Sequence, residues 1–188
     1  MKAQAAEQDE FNPYAAPKAA VADAVVPGVE AVFFPVSLGK LALMSVGTLG
    51  LYQVYWFYKN WKCVQQNSGD KVSAPIRAVF YPLVSYALFR RVRDRAAAAG
   101  VEGGLQAGLL AVALFVLSML WRLPDPWWLA GVAGFLPMLP VQSAVNEINA
   151  RLAPQADRNA RFSGGNVAGM IVGGLVLLLA VVGMFLPE

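Results

Sequence analysis

The sequence predicts an all-α integral membrane protein with about four transmembrane helices and one interfacial or re-entrant helix. Apolar residues make up 57% of its 188 positions and charged residues 14%, against about 45–50% and 25% in soluble domains. The apolar excess is concentrated, because residues 41–58, 105–121 and 167–186 contain no charged residue and residues 127–141 form a shorter uncharged run. Helical runs of about 17–25 apolar residues match a hydrocarbon core of about 30 Å.

The same runs favour helices over a membrane β-barrel. Each unpaired backbone polar group costs several kcal/mol in hydrocarbon, so only helices and closed barrels span it. A barrel strand would alternate apolar and polar residues over about ten positions. These runs are apolar on every face, which predicts helices.

The first 30 residues differ in composition from the rest of the chain. They are rich in alanine, and Pro13 and Pro17 interrupt any helical pattern. Against Lys2 and Lys18 stand five acidic residues: Glu7, Asp9, Glu10, Asp23 and Glu30. We predict a disordered acidic tail over residues 1–30 and a helical membrane domain over residues 31–188. The tail lacks the pattern of a secretory signal peptide, so we expect it to stay on the mature protein.

The first apolar run begins after Pro35, with Ser37 as a helix cap and Lys40 in the first turns. Aromatic residues crowd its end: Tyr52, Tyr55, Trp56, Phe57, Tyr58 and Trp61. Such a cluster is typical of a membrane boundary, and ordinary helix packing is the alternative. Gly47 and Gly50 lower helix stability in the middle of the run. A straight span over residues 41–58 is favoured over a re-entrant hairpin.

Residues 78–89 are uncharged, but twelve residues give only about 18 Å of helix. Pro82 bends this element and Arg77 precedes it. Four arginines follow and are candidate ligands for lipid headgroups: Arg90, Arg91, Arg93 and Arg95. We expect an interfacial or re-entrant helix with these arginines at the phosphate level. The alternative is a full span with snorkelling arginines.

Residues 105–121 and 127–141 predict a hairpin of two spans, with a kink at Pro137 and Pro140 and a helix end at Pro154. Residues 167–186 predict the last span. The loop over residues 59–104 holds eight Lys and Arg residues, the next turn only Arg122, and the next loop three arginines. The positive-inside rule then places both rich loops in the cytoplasm and the C-terminus outside. The tail lies outside if residues 41–58 span, and in the cytoplasm if they form a hairpin.

Two patterns are candidate sites: a repeat of small residues and a stripe of polar residues. Gly165, Gly169 and Gly173 repeat every four residues, which predicts a face for close helix packing, within this chain rather than in a dimer. Gln142, Asn146 and Asn149 fall at i, i+4 and i+7, one stripe of a helix. The stripe is a polar lining for a solute or headgroup, or a set of interhelical hydrogen bonds at the wet end of the helix. The second interpretation is favoured.

Several function classes are excluded by composition. The chain has no histidine and one cysteine, Cys63, so it lacks an internal disulfide and every nucleophile or zinc site that needs histidine. No carboxylate lies within a predicted span, which argues against ion-coupled transport. Glu147 and Asp157 are the only candidate pair for an enzyme acting on lipid. We find no cofactor, metal or nucleic-acid motif.

Residues 37–62 read SLGKLALMSVGTLGLYQVYWFYKNWK. This segment resembles small bacterial membrane proteins with a domain of unknown function, whose first segment is similar to TLGLYxxYWFYKNW. The resemblance continues through AVFYPLVSYALFRRV, LPVQSAVNEIN and RFSGGN, and covers about residues 33–186. It implies a multi-spanning inner-membrane protein of proteobacterial type, and it implies no activity or catalytic residue.

The sequence therefore predicts a non-enzymatic, multi-pass protein of the bacterial inner (plasma) membrane. We expect its cytoplasmic face to bind anionic membrane lipids. A membrane protein partner or a second copy of the chain is the other expected partner. A small transporter or channel component is the alternative. Four helices make a thin wall, so that alternative requires oligomerisation.

Overall fold

The computed structural model describes residues 30–69, 71 and 73–183, and every regular element within them is helical. The prediction of an all-α fold is confirmed. The elements are α1 (Leu38–Gly47), α2 (Leu51–Ser68), α3 (Ala74–Val79), α4 (Tyr81–Ala98), α5 (Ala107–Met119), α6 (Met138–Leu152) and α7 (Gly164–Gly183). Two 3-10 segments, Leu120–Arg122 and Trp127–Phe135, connect α5 to α6. The predicted disorder of residues 1–30 falls, except for Glu30, outside the described residues.

The uncharged run over residues 41–58 forms two helices, so the straight span that we predicted there is wrong. α1 ends at Gly47 and α2 begins at Leu51. Between them Leu49 and Gly50 have φ of 50° and 83°, a left-handed conformation that glycine adopts without strain. The Thr48 hydroxyl donates to Met44 O (2.6 Å) and accepts from Tyr52 N (3.0 Å), which fixes the bend. Alone, α1 is about 15 Å long, half of a hydrocarbon core.

The segment that we expected as one interfacial helix also divides in two. Helix α3 ends before Phe80 and α4 begins at Tyr81, with Pro82 in the first turn of α4, where its missing N–H breaks no helical hydrogen bond. Leu88, Phe89 and Val92 of α4 are fully buried. Protein therefore covers the side of this helix that carries Leu88, Phe89 and Val92, which a flat interfacial helix would have left to lipid, while Leu83 remains exposed. The re-entrant alternative stays a prediction.

The core is built around the aromatic centre of α2. Trp56, Phe57 and Trp61 have no exposed surface, and the Phe57 ring stacks on Tyr81 at 4.9 Å and on Phe89 at 6.0 Å between centroids. These rings join α2 to α4, and Leu114 of α5 and Ile148 of α6 complete the core. For Trp56, Phe57 and Trp61 the structure supports helix packing, which was the alternative to a cluster at the membrane boundary.

The connection from α5 to α6 is tightly packed. The ring of Trp121 stacks on Trp128 at 5.7 Å, and a β-carbon on Gly131 would lie 2.8 Å from the Trp121 ring. Only glycine allows this approach. Pro137 caps the start of α6 and Pro140 lies in its first turn, so the prolines mark the change from 3-10 to α geometry. We had placed them late in a span, as a kink.

Helix α7 stands apart from this core, because none of its 20 residues is buried. It crosses α1, where a β-carbon on Gly173 would overlap the backbone of Gly47 and one on Gly169 would touch Thr48. Gly165 meets only the Ser163 hydroxyl of its own segment. Two of the three predicted packing glycines thus lie at a contact within the chain.

Two helical stretches are long and apolar enough to cross a membrane: Trp127–Leu152, with 26 residues, and Gly164–Gly183, with 20. Leu38–Gly47 and Ala107–Arg122 are apolar but shorter. Length and composition therefore support two of the four spans that the sequence predicted.

The α1–α7 crossing predicts that a large side chain is tolerated at Gly174 but not at the adjacent Gly173. In a Cys63→Ser background, cysteines at Thr48 and Gly169 should form a disulfide, since these positions are in contact. Gly173→Leu should abolish the disulfide because a side chain there overlaps α1. Gly174→Leu is the matched control, since nothing lies within 4 Å of its β-carbon position. Equal loss of cross-linking in both variants on non-reducing gels would contradict the crossing.

Candidate functional site

Residues 31–37 form an irregular segment with bends at Val32 and Phe33, which we call the strap, before α1. Its side chains belong to the core: Phe33 is 4% exposed, Phe34 6% and Val36 fully buried. Buried backbone N–H and C=O groups need hydrogen-bond partners. Since no strand lies beside the strap in the described part of the chain, other groups must supply them.

The predicted polar stripe of α6 supplies one set of partners. The Asn149 amide accepts from the N–H of Val32 (2.9 Å) and Phe33 (3.2 Å) and donates to Phe33 O (2.8 Å). Gln142 donates to the carbonyl oxygen of Phe34 (3.3 Å). Farther along the strap, Asn146 donates to the carbonyl of Val36 at 2.9 Å. The structure thus brings the three stripe residues together along the strap, one helical turn after another.

Side-chain amides outside α6 bind the strap as well. Asn60 of α2 accepts from Phe34 N (3.2 Å), while its own nitrogen donates to Trp56 O (3.0 Å). Asn67, near the end of α2, donates to the Val32 carbonyl at 2.9 Å. From the loop before α7, Asn159 donates to the carbonyl of Pro35 at 3.2 Å. Amides from three parts of the fold therefore hold the strap by hydrogen bonds to its backbone. These bonds do not depend on which side chains the strap carries.

Gln142 is the most fully used of these amides. Its oxygen accepts from the Trp56 indole N–H at 2.5 Å. Its nitrogen donates to Phe34 O and to Asn146 Oδ1 at 2.8 Å. The side chain is fully buried. All of its hydrogen-bonding groups are occupied within the chain, so it presents none to a solute.

Lys40 connects α1 to the loop before α7. Its ammonium group donates to Asn159 Oδ1 (2.8 Å), Asn159 O (3.2 Å) and Arg161 O (2.6 Å), and these bonds use all three N–H donors. The residue is only 3% exposed. Burial lowers the pKa of Lys40, and the charge of Asp157 partly offsets this effect. The carbonyl contacts hold the left-handed Asn159 in place beside the strap.

A cleft of about 300 Å³ lies beside the strap. Its walls include Pro35, Asn146, Asn149, Asp157 and Arg158. Asn146 and Asn149 are committed to the strap, which leaves a mostly apolar surface with one charge of each sign at its rim. The wall contains no histidine and no group of carboxylates suited to a metal, and the described residues hold no metal-ligand cluster anywhere.

The four candidate headgroup ligands lie along the second half of α4. Arg90 and Arg93 approach Asp94 at 3.6 and 2.7 Å; the Arg90 side chain is 60% exposed and that of Arg93 is 42% exposed. Arg95 is exposed as well. Arg91 instead covers the Trp61 ring at 5.7 Å, as Arg77 does at 4.3 Å. The hydrogen bond from Arg93 lowers the pKa of Asp94. We call the surface formed by Arg90, Arg93 and Arg95 the basic face; Arg90 and Arg93 flank Asp94 on one side of the helix, and Arg95 lies on another side.

Two of the strap-binding residues, Asn60 and Asn67, did not stand out in the sequence. The available signal was their spacing from Gln53, because residues seven apart share one face of a helix. Gln53 is buried, as Asn60 is, and accepts from the Tyr81 hydroxyl at 3.0 Å, whereas Asn67 is exposed. The spacing of these three amides on one side of an aromatic helix therefore predicts a polar packing face.

No family model, curated protein or solved structure matches this chain. The function of this chain must therefore be inferred from its own geometry.

The strap contacts predict that removing the Asn149 amide strongly destabilises the fold. Asn149→Ala leaves two N–H groups and one carbonyl of the strap without partners, at about 1–3 kcal/mol for each buried group. We expect the thermal unfolding midpoint of the detergent-solubilised protein to fall by roughly 5–15 °C. Ser143→Ala, on the exposed side of the same helix, should leave the midpoint within about 2 °C. Similar midpoints for both variants would show that the strap does not stabilise the fold.

Proposed function

We propose that this chain is a non-enzymatic, multi-pass protein of the bacterial inner membrane that packs with partner helices and engages anionic lipid through its basic face. The observation that carries the membrane location is α7. All 20 of its residues lie outside the core, and large apolar side chains along it are exposed, among them Ile171, Leu175 and Leu179. In water such a surface exceeds what soluble monomers expose, whereas in hydrocarbon it is the favoured state.

Exposed apolar side chains on other helices support the same location. Leu83 of α4, Leu109 and Val112 of α5 and Leu51 at the start of α2 are each more than 60% exposed. They surround a core that is already complete. Lipid acyl chains would cover these outward faces without further folding.

The proposed topology has three crossings: Ala107–Arg122, Trp127–Leu152 and Gly164–Gly183. The first of these is about 24 Å long and the third about 30 Å. Residues 38–68 return to the side on which they begin, because the strap runs beside α2 and its Val32 reaches Asn67 near the end of that helix. This arrangement keeps both arginine-rich loops and the N-terminal tail in the cytoplasm and places Arg122 and the C-terminus outside.

The partner-helix part of the proposal rests on the face of α7 that points away from α1. Gly174 has open space around its β-carbon position, and a small residue allows close approach of another helix. The transporter alternative has lost its main support, since the polar stripe on which it depended is bound to the strap.

The topology can be tested with single cysteines in a Cys63→Ser background. A membrane-impermeant maleimide applied to intact spheroplasts should label Leu123→Cys, in the turn after α5. Gln155→Cys and Ala5→Cys should react only after permeabilisation. The positive-inside rule places the loop before α7 in the cytoplasm, and the return of residues 38–68 keeps the tail on the same side. Labelling of Ala5→Cys in intact spheroplasts would show that the first apolar run crosses the membrane.

The lipid contact predicts a dependence on the basic face. In nanodiscs of mixed lipid, changing Arg90, Arg93 and Arg95 to glutamine should lower the enrichment of anionic lipid around the protein by roughly tenfold at low salt, since each arginine near an anionic surface contributes about 1 kcal/mol and Asp94 offsets part of it. Tryptophan quenching by spin-labelled anionic lipid measures this enrichment.

Arg122→Gln is the control, because the proposed topology places Arg122 on the opposite face. High salt should reduce the enrichment of the parent protein. Enrichment that is the same in the triple variant and in Arg122→Gln would overturn the role of the basic face.

A further inference from the structure

The N-terminal tail, residues 1–29, joins the fold at a defined point. Asn67 donates to the Ala31 carbonyl (3.4 Å) and the Val32 carbonyl (2.9 Å), and Asn149 accepts from Val32 N. The tail therefore attaches beside the last turns of α2 and α6. The buried aromatic rings of the strap fix this attachment.

The end of the helix that carries the basic face, α4, lies next to the same end of α6. Arg151, two residues after Asn149, donates to the Ala99 carbonyl at 3.1 Å and to the Gly100 carbonyl. Ala99 in turn bonds to the carbonyl of Arg95 at 2.9 Å. A short chain of contacts thus links the attachment point of the tail to the arginines of α4.

The charges of the two regions are opposite. The tail carries four carboxylates, at Glu7, Asp9, Glu10 and Asp23, against Lys2 and Lys18. The basic face presents three guanidinium groups: those of Arg90 and Arg95 are exposed, that of Arg93 is partly exposed, and Asp94 pairs with Arg90 and Arg93. Twenty-nine residues span up to roughly 100 Å when extended, far more than the width of two packed helices, about 20 Å.

We propose that the acidic N-terminal tail docks on the basic face of α4 and competes there with anionic lipid headgroups. This inference rests on the lipid contact proposed above and adds its regulation. Because the tail is tethered beside the site, its carboxylates are present at a high effective concentration. Anionic lipid displaces the tail when its surface density is high, and a neutral membrane leaves the tail bound.

The docking itself can be measured by distances between spin labels in the full-length protein in nanodiscs. Labels are placed at Ala6→Cys in the tail and at Ala98→Cys, an exposed position at the end of α4, in the Cys63→Ser background. In neutral lipid we expect a short-distance population. That population should shrink in anionic lipid, and in a variant with Glu7, Asp9, Glu10 and Asp23 changed to their amides.

Asp125→Asn, a single charge change after α5, is the control and should leave the distances unchanged. A distance distribution that is identical in the parent and in the neutralised tail would overturn the docking. Lipid enrichment gives an independent readout, because neutralising the tail should raise the enrichment of anionic lipid about fivefold. If no variant enriches anionic lipid, the proposed lipid contact fails, while the distances still decide whether the tail docks.

Discussion

A backbone that is buried outside a helix must find a partner for each of its polar groups. In this chain that constraint falls on the strap, and side-chain amides meet it. Asn149 makes three of these bonds and Asn60 makes one, and Gln142 and Asn146 bind the following carbonyls. An amide side chain is suited to this role because it donates and accepts at once, as a peptide group does.

The position of the strap determines much of the surrounding fold. Its aromatic side chains fill the space between α2 and α6, and its end delivers the chain to α1 beside the loop that Lys40 holds. Helix α1 must then return to α2, and the bend at residues 48–50 allows this within three residues. The close approach of Gly47 and Gly173 places α7 against α1. The attachment of α7 therefore depends indirectly on the same amides.

Buried and exposed polar groups have separate roles in this arrangement. Inside, the amides hold the strap and leave little hydrogen-bonding capacity for a ligand. Outside, Arg90 and Arg95 of α4 are exposed and Arg93 is partly exposed, while large apolar side chains are exposed on α4, α5 and α7. A charged end and an apolar surface are what a protein at a membrane–water boundary requires. The proposed function joins these two surfaces.

By itself the sequence determined the helical class, because hydrophobic runs and their lack of charge are local properties of composition. It also singled out Gln142, Asn146 and Asn149, since helical spacing places them on one face. Only the tertiary structure decided what those amides bind, where residues 41–58 bend and that protein covers Leu88, Phe89 and Val92 of α4. Each of these depends on contacts between residues far apart in the chain, such as Asn149 with Val32, and local periodicity carries no information about such partners.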